Sequence, residues 1–202
     1  MSIPDDKLSV DPLPGIWLSP DELFHLPIED YEAGPLAIGD TSKGLHHQIW
    51  KLTYDGGTGD LIVTPEVTLT PVTIITVANV TQCTFAFDQN GDVTIAYTVG
   101  GVAFMYWYDT DEPAWVTTQL ADGVTNPTVC LDDKRTTQTN SSDILLLYTI
   151  EETPGVFTLY SREQRDRFTD ETLLKVGTRQ YIRKLGMHKE LRVQIGLSTT
   201  LY

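Results

Sequence analysis

The chain has 202 residues, 41% of them hydrophobic, enough to bury one good core with a small appendage. Its formal charge of −14 repels phosphate backbones and argues against general nucleic-acid binding. No run of about 18 apolar residues offers a bilayer span. The opening Met-Ser-Ile-Pro-Asp-Asp-Lys lacks the basic start and apolar stretch of a signal peptide, so no membrane association and a non-secreted product are expected.

Residues 1–45 read as an extended N-terminal arm. Six of the 11 prolines fall there, Pro4, Pro12, Pro14, Pro20, Pro27 and Pro35, and proline removes backbone donors that a central strand needs. One short helix is expected: Ser19 caps, Pro20 suits the first helical position, Ser19-x-x-Glu22 matches a capping box, and Pro27 ends it. Trp17 and Phe24, among other apolar residues around this turn, need a surface to cover. The arm is therefore expected to pack on its own body or on a neighbouring subunit.

Residues 46–202 read as a β domain. "QIWKLTY", "DVTIAYTV", "VAFMYWY", "DILLLYTI" and "VFTLYSRE" are short, rich in β-branched and aromatic residues, and separated by Gly, Asp, Asn and Pro. Asp55-Gly56-Gly57-Thr58-Gly59 and Val99-Gly100-Gly101 predict hairpin turns, and Glu151-Glu152-Thr153-Pro154-Gly155 a longer hairpin loop. Cys83 and Cys130 each lie inside a strand-like segment and read as free, buried thiols. Asn79 and Asn140 begin Asn-x-Ser/Thr triplets, which mean little without secretion.

Two segments repeat, about 83–120 and 128–175. Asp92 corresponds to Asp143, Tyr97 to Tyr148, Gly101 to Gly155 and Tyr106 to Tyr160, at offsets of 51, 51, 54 and 54. In "VAFMYWY" both alternating sets are apolar, which implies a strand buried on both faces. The fold class expected is mainly β: stacked antiparallel sheets, as a β-sandwich or partial propeller-like blades, with the Pro-rich arm attached. A third, weaker copy falls in residues 46–80. The exposed edges of an incomplete stack suit one subunit of a ring or larger complex.

No catalytic signature is present. His25, His46, His47 and His188 do not stand at metal-ligand spacing, and the chain has no His-Glu-x-x-His, Gly-x-Ser-x-Gly or Walker-type phosphate loop. Asp88-Gln89-Asn90-Gly91-Asp92 starts like a calcium loop, but its glycine is misplaced and Val99 stands where the final Glu belongs, so a β-turn is expected. It also resembles the Asp-x-Gly turn of sialidase-type blades, without the framing Ser/Thr and Trp. Asp132-Asp133, Glu151-Glu152 and Asp109, Asp111 with Glu112 offer carboxylate pairs of the glycosidase kind, all in predicted loops of an acidic protein. Trp107, Tyr108 and Trp115 read as exposed aromatics able to stack on sugar rings. The expectation is a protein that is not an enzyme and has no cofactor and no metal.

Charge is distributed unevenly. Residues 1–160 hold five basic and 23 acidic residues, a net of −18, whereas residues 161–202 hold nine basic and five acidic, a net of +4. The basic part begins in "YSREQRDRF". Strand alternation there sets Arg162, Gln164 and Asp166 on one face and Glu163, Arg165 and Arg167 on the other. Each face carries both signs, the composition of an ion-pair network held by guanidinium forks.

The C-terminal quarter is similar to that of structural proteins of tailed bacteriophages. The matching residues are Tyr160, Arg162, Gln164, Arg165, Asp166, Arg167 and Phe168, then Gly186 and Met187, then Arg192 and Gln194. This resemblance implies a virion component of the neck or tail, such as a head-to-tail connector, assembled in the cytoplasm of a host bacterium, with no cofactor and no reaction. The expected partners are further copies of the chain and other virion proteins. In such a ring an acidic interior lets DNA pass without specific binding. Arg162, Arg165 and Arg167, with Trp17 and Phe24 from the arm, are the candidate interface residues. The alternative is a carbohydrate- or receptor-binding β module of a tail or spike.

Overall fold

A computed structural model describes the backbone of residues 18–19, 22–23, 36–39, 48–65, 69–88, 91–132, 143–177, 181–188 and 192–198, and the side chains of residues 50–65, 69–88, 91–130 and 144–177. Over these residues the chain is mainly β, as its alternating, β-branched segments require. Three four-stranded antiparallel meanders follow one another. Sheet I holds β3 (Leu36–Gly39), β4 (Gln48–Asp55), β5 (Asp60–Pro65) and β6 (Val72–Thr76). Sheet II holds β7 (Val80–Phe87), β8 (Val93–Val99), β9 (Val102–Asp109) and β10 (Ala114–Asp122). Sheet III holds β11 (Val124–Asp132), β12 (Asp143–Thr153), β13 (Val156–Glu163) and β14 (Thr172–Gly177). Two hairpins complete the described elements, β1 (Leu18–Ser19) with β2 (Glu22–Leu23) and β15 (Tyr181–His188) with β16 (Arg192–Ser198).

The sheets stack face to face with their first strands side by side: β7 lies beside β3, β11 beside β7, and β15 beside β11. That is the arrangement of successive propeller blades. The weaker third copy is thus a full sheet, and it recruits Leu36–Gly39 from the segment assigned to the arm. Near the helix expected from Ser19, Leu18 pairs opposite Leu23 and Ser19 opposite Glu22, while Pro20, Asp21 and Pro27 lie outside the described residues. Trp17 and Phe24 lie outside the described residues.

Turn chemistry fixes the meanders. Gly100 and Gly101 both have positive φ, 59° and 84°, so β8 and β9 join through a two-residue turn that only glycine accepts without strain. Asp55 accepts the Gly57 amide at 2.8 Å and holds the turn before β5. In the 88–92 turn, the Asp92 amide donates to the Asp88 carboxylate at 2.9 Å, as expected of a β-turn. The loop expected at residues 151–155 is shorter than its sequence suggests. β12 continues to Thr153, which pairs with Val156, and a register slip between Glu151 and Thr153 takes up the extra residue. Glu151 accepts the Gly155 amide at 2.7 Å and Glu152 accepts the Tyr160 hydroxyl at 2.6 Å, so this acidic pair stabilises the hairpin.

Two apolar cores glue the stack. Between sheets I and II lie Trp50, Leu52, Leu61 and Val63 against Phe85, Phe87, Val93, Ile95 and Tyr97. Between sheets II and III lie Ala86, Ala96, Ala103, Met105 and Trp107 against Val129, Ile144, Leu146, Tyr148 and Phe168. Sheet II is therefore buried on both faces, which explains the apolar residues at both parities of β9. The repeat extends to polar detail. Thr81 and Thr98 join at 2.8 Å between the first two strands of sheet II, and Thr125 and Thr149 do the same in sheet III at 2.8 Å. Neither Cys83 nor Cys130 is in a disulfide, and Cys130 is buried and Cys83 partly so.

Candidate functional site

The arginine segment does not continue as a strand. β13 ends at Glu163, and Gln164–Asp166 form a single 3-10 turn. Arg167 and Phe168 then adopt left-handed φ of 58° and 59°, so the expected alternation of faces stops after Glu163. Each such non-glycine residue costs about 1–2 kcal/mol, and two in succession need compensation. Phe168 supplies it by full burial between sheets II and III, its ring edge-on to Trp107 at 5.3 Å and 83°. Backbone bonds close the turn: the Arg167 amide donates to the Gln164 carbonyl at 2.8 Å and the Phe168 amide to the Glu163 carbonyl at 3.0 Å. The Gln164 side chain accepts the Ile144 amide at 3.1 Å and ties the turn to β12.

Arg162 sits at the centre of a partly buried network. Its Nε donates to the Tyr148 hydroxyl at 2.8 Å, Nη1 to the Phe168 carbonyl at 2.8 Å, and Nη2 pairs with Glu171 at 3.2 Å. The Tyr148 hydroxyl also donates to Glu171 in a close contact. Burial and then the Glu171 carboxylate hold the Tyr148 phenol well above its ordinary range, against the opposing pull of Arg162. Burial disfavours the Arg162 charge, but Tyr148 and Glu171 outweigh it and raise its pKa.

Arg167 reaches 55 residues back along the chain, to the β9–β10 turn of sheet II. It pairs with Asp109 at 2.5 Å and Glu112 at 3.2 Å. The Asp109 side chain is 2% exposed, and its other oxygen accepts the Asp111 amide at 3.0 Å. Arg165 pairs with Glu163 at 2.6 Å and is the most exposed of the three arginines. Burial, then the nearby Asp170 and Glu163 carboxylates, raise the pKa of Asp166.

The structure thus brings Arg162 and Arg167 into networks with acidic partners of the same chain, Glu171 for the first and Asp109 and Glu112 for the second. Asp109 and Glu112, weighed in the sequence as catalytic carboxylates, are the Arg167 partners and brace sheet II against sheet III. Glu171 and Phe168 complete the arrangement. Phe168 stands out in the sequence only as part of the phage-like stretch, and Glu171 not at all, since their proximity to Arg162 depends on how the chain turns after β13 and how the sheets stack.

Among the expected exposed aromatics, Trp107 is buried, its Nε1 donating to Thr118 at 3.1 Å. Trp115 remains 44% exposed, stacked on Tyr106 at 5.1 Å and edge-on to Tyr108 at 5.4 Å. The four histidine side chains lie outside the described residues. Among the described residues, no three His, Cys, Asp or Glu side chains converge as a metal site, and no helix is long and apolar enough to cross a membrane. No protein-family model, curated protein or solved structure was found to match the chain.

Proposed function

We propose that the chain is a non-catalytic structural subunit that works inside an assembly, in the neck or tail of a tailed-phage virion. The observation that carries this reading is how the stack ends. Sheet III turns Leu147, Phe157 and Leu159 away from sheet II, and all three are buried within the chain itself, so this face is covered as both faces of sheet II are. Beside it the chain offers β15 and β16, a two-stranded sheet where the preceding three have four strands. At the other end, Lys51, Thr53, Ile62 and Thr64 give sheet I a partly polar, solvent-reached far face. A stack with two unlike ends is suited to being finished by neighbours. The phage-like residues from Tyr160 to Gln194 supply the virion context, and the acidic body suits a passage through which DNA slides.

The test is mass spectrometry of purified particles of the virus that carries the gene. Peptides of this chain at stoichiometric, repeated copy number support the reading, and their absence from intact particles overturns it. The second reading, recognition of a glycan, is favoured by the half-exposed Trp115 on its Tyr106 and Tyr108 platform. A glycan array probed with the chain and with Trp115→Ala decides it: binding lost in the variant supports recognition, and no binding removes it.

A further inference from the structure

We propose that β14 is a self-association edge, along which two copies of the chain pair antiparallel about Leu173. Sheet III ends in β14, which bonds to β13 on one side and has no described strand on the other. The strand is apolar where an edge is ordinarily guarded. Leu173, Leu174 and Val176 are 56%, 43% and 54% exposed, and Val156 is exposed nearby. Lys175 is the single cation among them, and a register slip leaves Leu174 without an opposite residue on β13. A lysine and a bulge are devices that discourage pairing, yet here they interrupt a surface that is otherwise greasy.

The occupant follows from the charge order along the edge, Asp170-Glu171-Thr172-Leu173-Leu174-Lys175-Val176. Acids lie at one end and the lysine near the other, so an antiparallel second copy is complementary. Centring the two-fold on Leu173 sets Lys175 of each copy opposite Glu171 of its mate and Thr172 opposite Leu174. Glu171 gives Oε2 to Arg162 and Tyr148 of its own chain, so Lys175 of the mate would take its Oε1, while the Leu173 side chains cover one another. An unrelated strand would need the same charge order, whereas a second copy supplies it by symmetry. A seven-residue strand pair buries less than the roughly 1,000 Å² of stable complexes, so the contact is weak between isolated chains and gains strength where many copies are held together.

The inference takes from the assembly reading only that copies of the chain meet. Its test uses single cysteine replacements in the full chain, oxidised mildly at a protein concentration on the order of 100 μM. Opposed residues of an antiparallel pair lie about 4.5–5.5 Å apart at Cα, within disulfide reach. Leu173→Cys is expected to form a disulfide dimer alone. Thr172→Cys and Leu174→Cys are expected to cross-link only when mixed with each other. Far-UV circular dichroism shows that each variant folds, and the unaltered chain reports any linkage through Cys83 or Cys130. Monomeric Leu173→Cys, or equal cross-linking by all three variants alone, overturns the proposal. If that happens while the chain is still found in virions, the β14 contact fails and the structural role stands.

Discussion

Phe168→Ala tests whether the turn after β13 is a spacer or a structural plug. The ring is fully buried and edge-on to Trp107, with Arg162 bonded to the carbonyl of the same residue. Removing a buried phenylalanine ring costs about 3–5 kcal/mol, a large part of the roughly 5–15 kcal/mol that stabilises a domain. At about 2–4 °C per kcal/mol for a chain of this size, the melting temperature should fall by roughly 6–20 °C. A second variant separates ring loss from backbone strain. Phe168 has φ of 59°, where glycine is unstrained and alanine is not. Phe168→Gly should therefore match Phe168→Ala or exceed it by up to about 1 kcal/mol, after allowing for the greater freedom of glycine in the unfolded chain. Urea unfolding of the three proteins measures both differences. A loss below about 1 kcal/mol for Phe168→Ala, or a glycine variant clearly weaker than the alanine one, refutes the reasoning.

Three further outcomes follow from the same geometry. Thr98→Val and Thr149→Val should each cost about 1 kcal/mol in denaturant unfolding, and by similar amounts, because the Thr81–Thr98 and Thr125–Thr149 contacts occupy equivalent places; widely different costs would deny the repeat. Tyr148→Phe should cost about 1–3 kcal/mol by leaving the Arg162 Nε without its acceptor, and a neutral result in the same assay would remove Arg162 as the centre of its network. Burial pushes the Cys83 thiol up from 9.0 to about 11, so at pH 8 it should alkylate about 100-fold more slowly than an ordinary thiol, with full reactivity restored in urea. Because the folded state holds that proton more tightly, its contribution to stability is complete below pH 9 and is lost as pH rises toward 11, visible as a falling urea midpoint across that window.

The β class, the repeat and the two-residue glycine turn were legible in sequence because each rests on short-range rules. Alternation marks a strand, apolar residues at both parities mark a doubly covered one, and paired glycines mark a positive-φ turn. The arginine segment was misread beyond Glu163 because nothing local signals its departure from the sheet. Its left-handed positions are held by arginine and phenylalanine, so the usual glycine or asparagine mark is missing. The Arg167 partners Glu112 and Asp109 lie 55 and 58 residues away, in a turn whose carboxylates look the same in sequence whether they cap, pair or catalyse. Trp107 was misplaced because "YWY" gives no sign of which aromatic faces sheet III. That choice follows from register, set by the Val99–Val102 pair at the turn.

Side-chain size also argues that sheet III expects a successor. On the face that sheet II turns toward sheet III, the first two strands carry Thr84, Ala86, Thr94, Ala96 and Thr98, while the third carries Ala103 near the turn and then Met105 and Trp107. Small residues let neighbouring sheets converge at their first strands, and larger ones fill the wedge where the outer strands diverge. Sheet III repeats the gradient on its own far face, from Thr128 and Cys130 on β11 to Leu147 and Thr149 on β12 and Phe157 and Leu159 on β13. A solvent-facing side would carry charges at these positions, as sheet I does at Lys51. The taper on sheet III instead fits another sheet converging at β11, which is where β15 lies. The register of small and large residues therefore gives the stack a direction: it begins at the partly polar face of sheet I and continues past sheet III.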